Sequence, residues 1–485
     1  MLRATFLGHQ GWLLRGGGSA LLVDPLLTSS FGHGGLVGEL YPPRALDLAG
    51  FPAIDAVVIS HEHDDHFDVP SLLRLDRRIP IYFPARGSIA GRGLLRGLGF
   101  EVRPLAPAAE HSIGGLRLRT FVADHRGAEL GDEWEVAPFV VRDIDGHGSF
   151  ASSVDVPPPP AMLAALGDLA PRPGIWCYAN NFSSAAHQRL GATSAAPASD
   201  AVSLASAFLR RYAAVERLWG APAVAAIVGA GWSFADARAW LNHAVFPLEN
   251  DVLADSLAAV APRTRAVAAR PGATITLARG EHVGIEGSQP FLAALPRERW
   301  PDRGYREGIA PAPDYAPATG RGDVDTAGEG ALREGLAALA GWLYGGPLFR
   351  ALYSLDPGDC GGRRPTVALR LRADREGGAR TLAYDPAACA FVPVEAAAAH
   401  EEFIAGIECW ARDLAGLFAG ELGPTALCYA GRLRVWNHAP ARVPFAPHLL
   451  WMFAHPLRRP EAMARLYRRL VAAAGEVAPV IRFAG

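Results

Sequence analysis

His61-Glu62-His63-Asp64-Asp65-His66 follows directly on Ala56-Val57-Val58-Ile59-Ser60, so three imidazoles and three carboxylates crowd into six residues at the end of a short β-branched, apolar run. The run reads as a buried strand, and the loop beyond it as a place where chemistry sits. In extended backbone alternate side chains share a face, which lets His61 and His63 serve one metal ion while Asp65 and His66, past the turn, serve a second. The competing reading is a solvated loop whose histidines cap the helix beginning near Val69-Pro70. Imidazole with carboxylate suits zinc, iron and manganese, so the stretch specifies a metal site without choosing the metal.

Other runs are organised around this one. Phe6-Leu7-Gly8-His9-Gln10-Gly11-Trp12-Leu13-Leu14 and Leu21-Leu22-Val23-Asp24-Pro25 read as two opening strands. Leu116 to Ala123 alternates as a strand and ends at Asp124-His125. The strand Phe139-Val140-Val141-Arg142 leads through a turn to Ser149-Phe150-Ala151-Ser152-Ser153-Val154-Asp155.

With these runs in place, the chain resembles the metallo-β-lactamase superfamily, whose HxHxDH signature is matched at every position by His61, His63, Asp65 and His66. The resemblance covers roughly residues 1 to 285 and implies an α/β fold, an αββα sandwich with two metal ions at one rim. It implies His125, rather than the earlier His111, as the third histidine of the first metal. It further implies Asp155 as the bridging carboxylate and His243, in Asn242-His243-Ala244-Val245-Phe246-Pro247, as the last ligand. By the same resemblance Asp24 orients a ligand histidine from behind and His9 lines the cleft, while Glu62 and Asp64 are solvated bystanders. One departure stands out: Ser-Ser-Val-Asp occupies the place where most members carry Gly-Asp-Thr.

The implied chemistry is hydrolysis. Two divalent ions about 3.5–4 Å apart, zinc first and iron or manganese as alternatives, lower the pKa of bound water towards roughly 7 and orient the hydroxide on an ester, phosphodiester or lactone bond. Asp65 and Asp155 are the catalytic carboxylates in that reading, and no Gly-x-Ser-x-Gly elbow competes for the role. A second reading follows from a resemblance to the lactamase-fold half of CMP-sialic-acid hydroxylases. It implies a diiron oxygenase, which here needs an electron-donor partner because no Cys-x-His pair supplies a Rieske cluster.

Between Asp155 and His243, residues 157 to 220 read as a rim insertion that shapes specificity, with Trp176, Tyr178, Asn180 and Asn181 as contacts and a helix from about Asp200 to Leu218. Residues 286–330 shift to Pro, Gly, Asp and Arg and read as a linker. Beyond it, Leu332, Leu336, Leu339 and Leu343 mark a helix face, Val367, Leu369 and Leu371 a half-buried strand, and Phe403, Ile407, Trp410, Leu414 and Leu417 a second helix ended by Gly420. Residues 331–485 form an α+β domain similar to sterol-carrier proteins through its helix, Gly-Pro turn and Ala-Gly-Arg-Leu-Arg. That resemblance implies a third reading, a metal-stabilised lipid-binding protein, beside the plainer role of a homodimerisation module. His400, His438, His448 and His455 read as structural or exposed.

Composition sets outer bounds. A chain of 485 residues with net charge −2 has room for two or three domains and no charge-driven affinity for nucleic acid, so the expected partner is a small-molecule substrate. All 47 basic residues are arginine, which excludes Schiff-base lysine chemistry and a P-loop. The five cysteines are widely spaced and form no CxxC pair, as suits free thiols. The sequence shows no membrane-span pattern and no signal-peptide pattern, and a cytoplasmic protein is expected.

Overall fold

The structure is a computed structural model. It describes the chain except residues 34, 128–130, 185, 191–200, 307, 308, 310–313 and 375–377, together with the side chains at 124–127, 131–135, 186 and 201.

Strands Leu2–Gly8, Gly11–Gly16 and Ser19–Val23 form an antiparallel meander. The sheet then turns parallel through Ala56–Val58, Ile81–Pro84 and Val102–Leu105. Thr274–Ala278 and Glu281–Glu286 close its other edge, giving eight strands. A seven-stranded sheet faces it, antiparallel from Glu110–Ile113 to Ser149–Ser152 and parallel through Ile175–Asn180, Val224–Gly229 and Arg265–Ala268. Between them lies a dry layer of alternating inward residues, Phe6, Trp12, Val23 and Val58 against Leu118, Val141, Phe150 and Val228. Helices cover both outer faces, so the expected αββα sandwich is present.

Within residues 157–220, read as a rim insertion, the described helices belong to this outer layer and Ile175–Asn180 is a strand of the second sheet. Helices Pro160–Leu169 and Ala201–Trp219 lie on the second sheet. Trp176 and Tyr178 point into that helical layer and are buried among Phe208, Tyr212 and Trp219. Strand alternation accounts for it: Ile175 and Cys177 face the sandwich core, which turns Trp176 and Tyr178 outward under the helices.

The carboxyl-terminal part carries a five-stranded sheet ordered Ala390–Val394, Ala379–Asp385, Arg364–Arg372, Phe403–Trp410 and Leu433–Asn437, with helices Thr326–Leu343 and Ala411–Ala419 against it. The helix expected from Phe403 to Leu417 is thus a strand followed by a helix. Phe403, Ile407 and Trp410 satisfy a helical spacing, but this stretch is the buried strand between Arg364–Arg372 and Leu433–Asn437, where nearly every position is apolar and periodicity carries no information. Gly420 ends the helix at φ 73° as expected.

The tail is fused to the sandwich. One apolar cluster unites Leu26, Phe31, Val37 and Phe246 with Leu339, Leu369, Ile407 and Met452. Helix Pro460–Ala474 returns to the first sheet's helical layer, burying Met463, Leu466 and Tyr467 there, and Phe483 and Ile481 bridge to Ile54 and Leu75. The expected linker is anchored as well: Arg303 is buried with its guanidinium 3.9 Å from the ring of Tyr41 and 4.1 Å from that of Phe246, donating to the carbonyl of Trp232 at 3.0 Å. All five cysteines are unpaired, and among the described residues no helix is long and apolar enough to cross a membrane.

Candidate metal centre

Strands Ser19–Val23 and Ala56–Val58 run parallel in register, Val23 beside Val58, so the residues leaving their carboxyl ends meet. Asp24, held at φ 42°, accepts hydrogen bonds from Ser60 N and Ser60 Oγ at 2.7 Å each. Its Oδ2 also lies 2.8 Å from His66 Nδ1. Ser60 Oγ stands 3.0 Å from His61 Nδ1. Both imidazoles are therefore held by Nδ1 and present Nε2 to the cleft, the arrangement by which outer partners fix ligand tautomers.

On the facing sheet, Ser149–Ser152 and Ile175–Asn180 are also parallel, and Asp155 follows the first of them. Asp155 Oδ2 reaches His61 Nε2 at 3.2 Å and His66 Nε2 at 3.0 Å. Its Oδ1 accepts from Gln10 Nε2 and from Asn181 Nδ2, the latter at 2.9 Å. His9 Nε2 lies 2.7 Å from Asp65 Oδ2, which is 3.3 Å from His66 Nε2. Two donor groups result, His61–His66–Asp155 and His9–Asp65–His66, each with its ligand atoms within 4.8 Å of one another.

These donors fit metal ions on their own chemistry. The buried Nε2 atoms of His61 and His66 meet carboxylate oxygens at 3.0–3.3 Å without well-aligned hydrogen bonds, a state that coordination would relieve. Burial pushes the Asp65 and Asp155 carboxyls up, but His66, helped by His9 on Asp65 and His61 on Asp155, outweighs it and holds both well below the usual carboxylate range. Burial and His66 together lower His61, favouring the neutral imidazole that a metal requires, whereas burial at His66 is outweighed by Asp65, Asp155 and Asp24, which raise it and hold a proton that a metal would displace.

The sequence-derived ligands divide accordingly. His61, Asp65, His66 and Asp155 come together. His63 packs beside them, its ring centroid 4.1 Å from that of His61 and 4.7 Å from Trp451, and among the described residues it joins neither group. The side chain of His125 lies outside the described residues. His243 does not join: it ends a 3-10 turn, Ala239–His243, its Nδ1 is 2.8 Å from the carbonyl of Gly304, and its Nε2 faces Asp302. His9, read only as lining, instead reaches Asp65, and a Cβ on Gly231 would come within 2.3 Å of its Nδ1. Glu62 and Asp64 are buried rather than solvated. Glu62 accepts from Ser88 Oγ at 2.6 Å at the start of helix Ile89–Gly97, and Asp64 accepts from Thr425 Oγ1 at 2.9 Å.

A pocket of about 180 Å³ opens on this centre, lined by His63, Asp65, Asp155, Asn180 and Asn181. Phe31, Trp232 and Phe246 form one aromatic group in its wall, and the tail contributes Thr425, Tyr429, His448 and Trp451. Tyr429 Oη lies 2.8 Å from His448 Nδ1, and His448 stacks on Trp451 at 5.2 Å. These tail residues escape sequence reasoning because nothing local marks them. A larger cleft, about 440 Å³, lies at the opposite ends of the parallel strands and holds neither donor group.

Residues 3–140 match the family described as the beta-lactamase superfamily domain, and they contribute to paired sheets with donors at their carboxyl ends. This part of the chain is similar to metallo-β-lactamase-fold domains. Over 87 residues, 17% of its length, the chain is 38% identical to an uncharacterized protein of Mycobacterium tuberculosis, and the match spans 23% of that relative's length. Among solved structures, the lactamase-fold region is similar to isothiocyanate hydrolase from Delia radicum gut bacteria at 17% identity and TM-score 0.38, covering 57% of this chain and 99% of that one. It is also similar to CmlA, a diiron beta-hydroxylase from Streptomyces venezuelae, at 18% identity and TM-score 0.37, covering 57% and 54%.

Proposed function

We propose that this chain is a dinuclear metal-dependent hydrolase acting on an ester, phosphodiester or lactone bond. The observation that carries the proposal is the convergence of buried His61 and His66 Nε2 atoms, neither in a well-aligned hydrogen bond, on Asp155 Oδ2 at the floor of an open pocket. His61, His66 and Asp155 would hold one ion; because the single Nε2 lone pair of His66 serves only one ion, His9 and Asp65 would hold the second. When bound, such ions supply Lewis acidity and water that is acidic enough to react near neutral pH.

The protein's own work is positioning. Asp24 and Ser60 keep both imidazoles in the tautomer that turns Nε2 to the pocket. Gln10 and Asn181 fix Asp155 by one oxygen and leave Oδ2 to the histidines. Asp65, held as a carboxylate between His9 Nε2 and His66 Nε2, would be a ligand of the second ion and orient the attacking water. Hydrolysis in ¹⁸O-labelled water, followed by mass analysis of the product acid or alcohol, tests the reading. Label from water supports it. Label taken instead from oxygen gas replaces it with a diiron oxygenase that draws electrons from a partner.

A further inference from the structure

The pocket wall is uneven in its chemistry. Trp232 is stacked on Phe31 at 4.8 Å and 28°, and Phe246 meets it at 4.6 Å. From the tail, Trp451 carries His448 on its face and packs against His63, placing a second aromatic group on the same pocket. Besides the imidazoles and the Ser183, Thr425 and Tyr429 hydroxyls, the polar atoms around the centre belong to the carboxylates Asp64, Asp65 and Asp155 and the amides Asn180 and Asn181. Among the described residues, none of the chain's 47 basic side chains lines this pocket.

An enzyme that takes phosphodiesters or other anions needs cationic or multiple N–H donors for the oxygens that do not reach the metals, and arginine is the residue best fitted to it. Here, among the described residues, such oxygens would meet carboxylates, amides and hydroxyls and no guanidinium. Planar apolar groups, in contrast, find aromatic faces on which to stack. We infer that the pocket takes an uncharged substrate with a planar, aromatic or conjugated body, and that the tail, through Trp451 and His448, is its specificity-determining wall. Of the three bond types, this selects the neutral ester or lactone over the phosphodiester. Trp451 and His448 act as positioning residues.

The inference rests on the proposed metal centre only for where the reacting group sits. It is therefore tested by binding without turnover, so loss of hydrolytic activity and loss of recognition are read separately. Full-length protein with its metal as purified is titrated calorimetrically with neutral 4-nitroacetanilide and anionic bis(4-nitrophenyl) phosphate. The expected result is at least fivefold tighter binding of the neutral probe. Trp451→Ala should weaken that binding at least tenfold at unchanged metal content, with Trp451→Phe restoring most of it. Should Trp451→Ala fail to fold, His448→Ala, at a half-buried position, removes the stacking partner and should weaken binding at least threefold. A smaller preference, tighter binding of the phosphodiester, no binding of the neutral probe, or unaltered binding in the folded variants overturns it.

Discussion

Thr425 donates its hydroxyl to Asp64 Oδ1 at 2.9 Å, tying the first turn of helix Pro424–Cys428 in the tail to the middle of the histidine-rich loop of the sandwich. Through this bond and the Trp451 ring against His63, the tail touches the histidine-rich loop directly. The carboxyl-terminal part is thus a wall of the site, in addition to whatever stability its packing supplies.

Thr425→Val keeps the shape of the side chain and deletes that bond, leaving a buried acceptor underused. We expect about 1–3 kcal/mol of destabilisation. Calorimetry should show one unfolding transition, as the apolar cluster shared by sandwich and tail requires. A tail melting separately from the sandwich would contradict the fused architecture.

Asp24 touches no proposed ion position, yet it holds His66 by Nδ1. Asp24→Asn should weaken metal binding by about 10- to 100-fold, because the imidazole loses its anionic anchor. Competition with a chromogenic chelator measures this, and unaltered affinity would remove Asp24 from the site.

Gly231 leaves no room for a side chain, since a Cβ would stand 2.8 Å from His9 Cα as well as against its ring. Gly231→Ala should push His9 off Asp65 and cost about 1–3 kcal/mol in stability. Catalysis should fall far more than folding does, by at least tenfold in kcat/KM against an ester or lactone substrate.

Asp413 is buried at the start of helix Ala411–Ala419 and accepts from Ala318 N with both oxygens, at 3.0 and 3.1 Å. Burial pushes its carboxyl up to about 6, against the opposing pull of the Ala318 hydrogen bond, Arg432 and Arg412. A carboxyl raised on folding favours the protonated native state. Its stabilising effect is whole below its ordinary value of 3.8 and is lost as the pH climbs from there to about 6. Asp413→Asn should therefore gain stability relative to the parent over that window, by about 2–3 kcal/mol at neutral pH, in urea melts from pH 4 to pH 7.

The sandwich was legible in sequence because its opening strands and HxHxDH loop are local patterns. His61, Asp65, His66, Asp155 and Asp24 come together because each follows a strand whose end could be read. His243 went astray because a histidine before a Pro-Glu turn is a weak cue; its ring is taken by the Gly304 carbonyl. His9 was undervalued because its reach to Asp65 depends on a positive φ and on the missing side chain at Gly231. Tyr429, His448 and Trp451 could not be placed, since their meeting with His63 is made by chain folding across almost four hundred residues.

The central claim is that these residues hold catalytic metal. Elemental analysis of protein purified without added metal, beside His61→Ala and Asp155→Ala, tests it most directly. Two zinc or manganese ions per chain are expected, with at least one lost in each folded variant. A metal-free parent, or variants that keep the full complement, would contradict it.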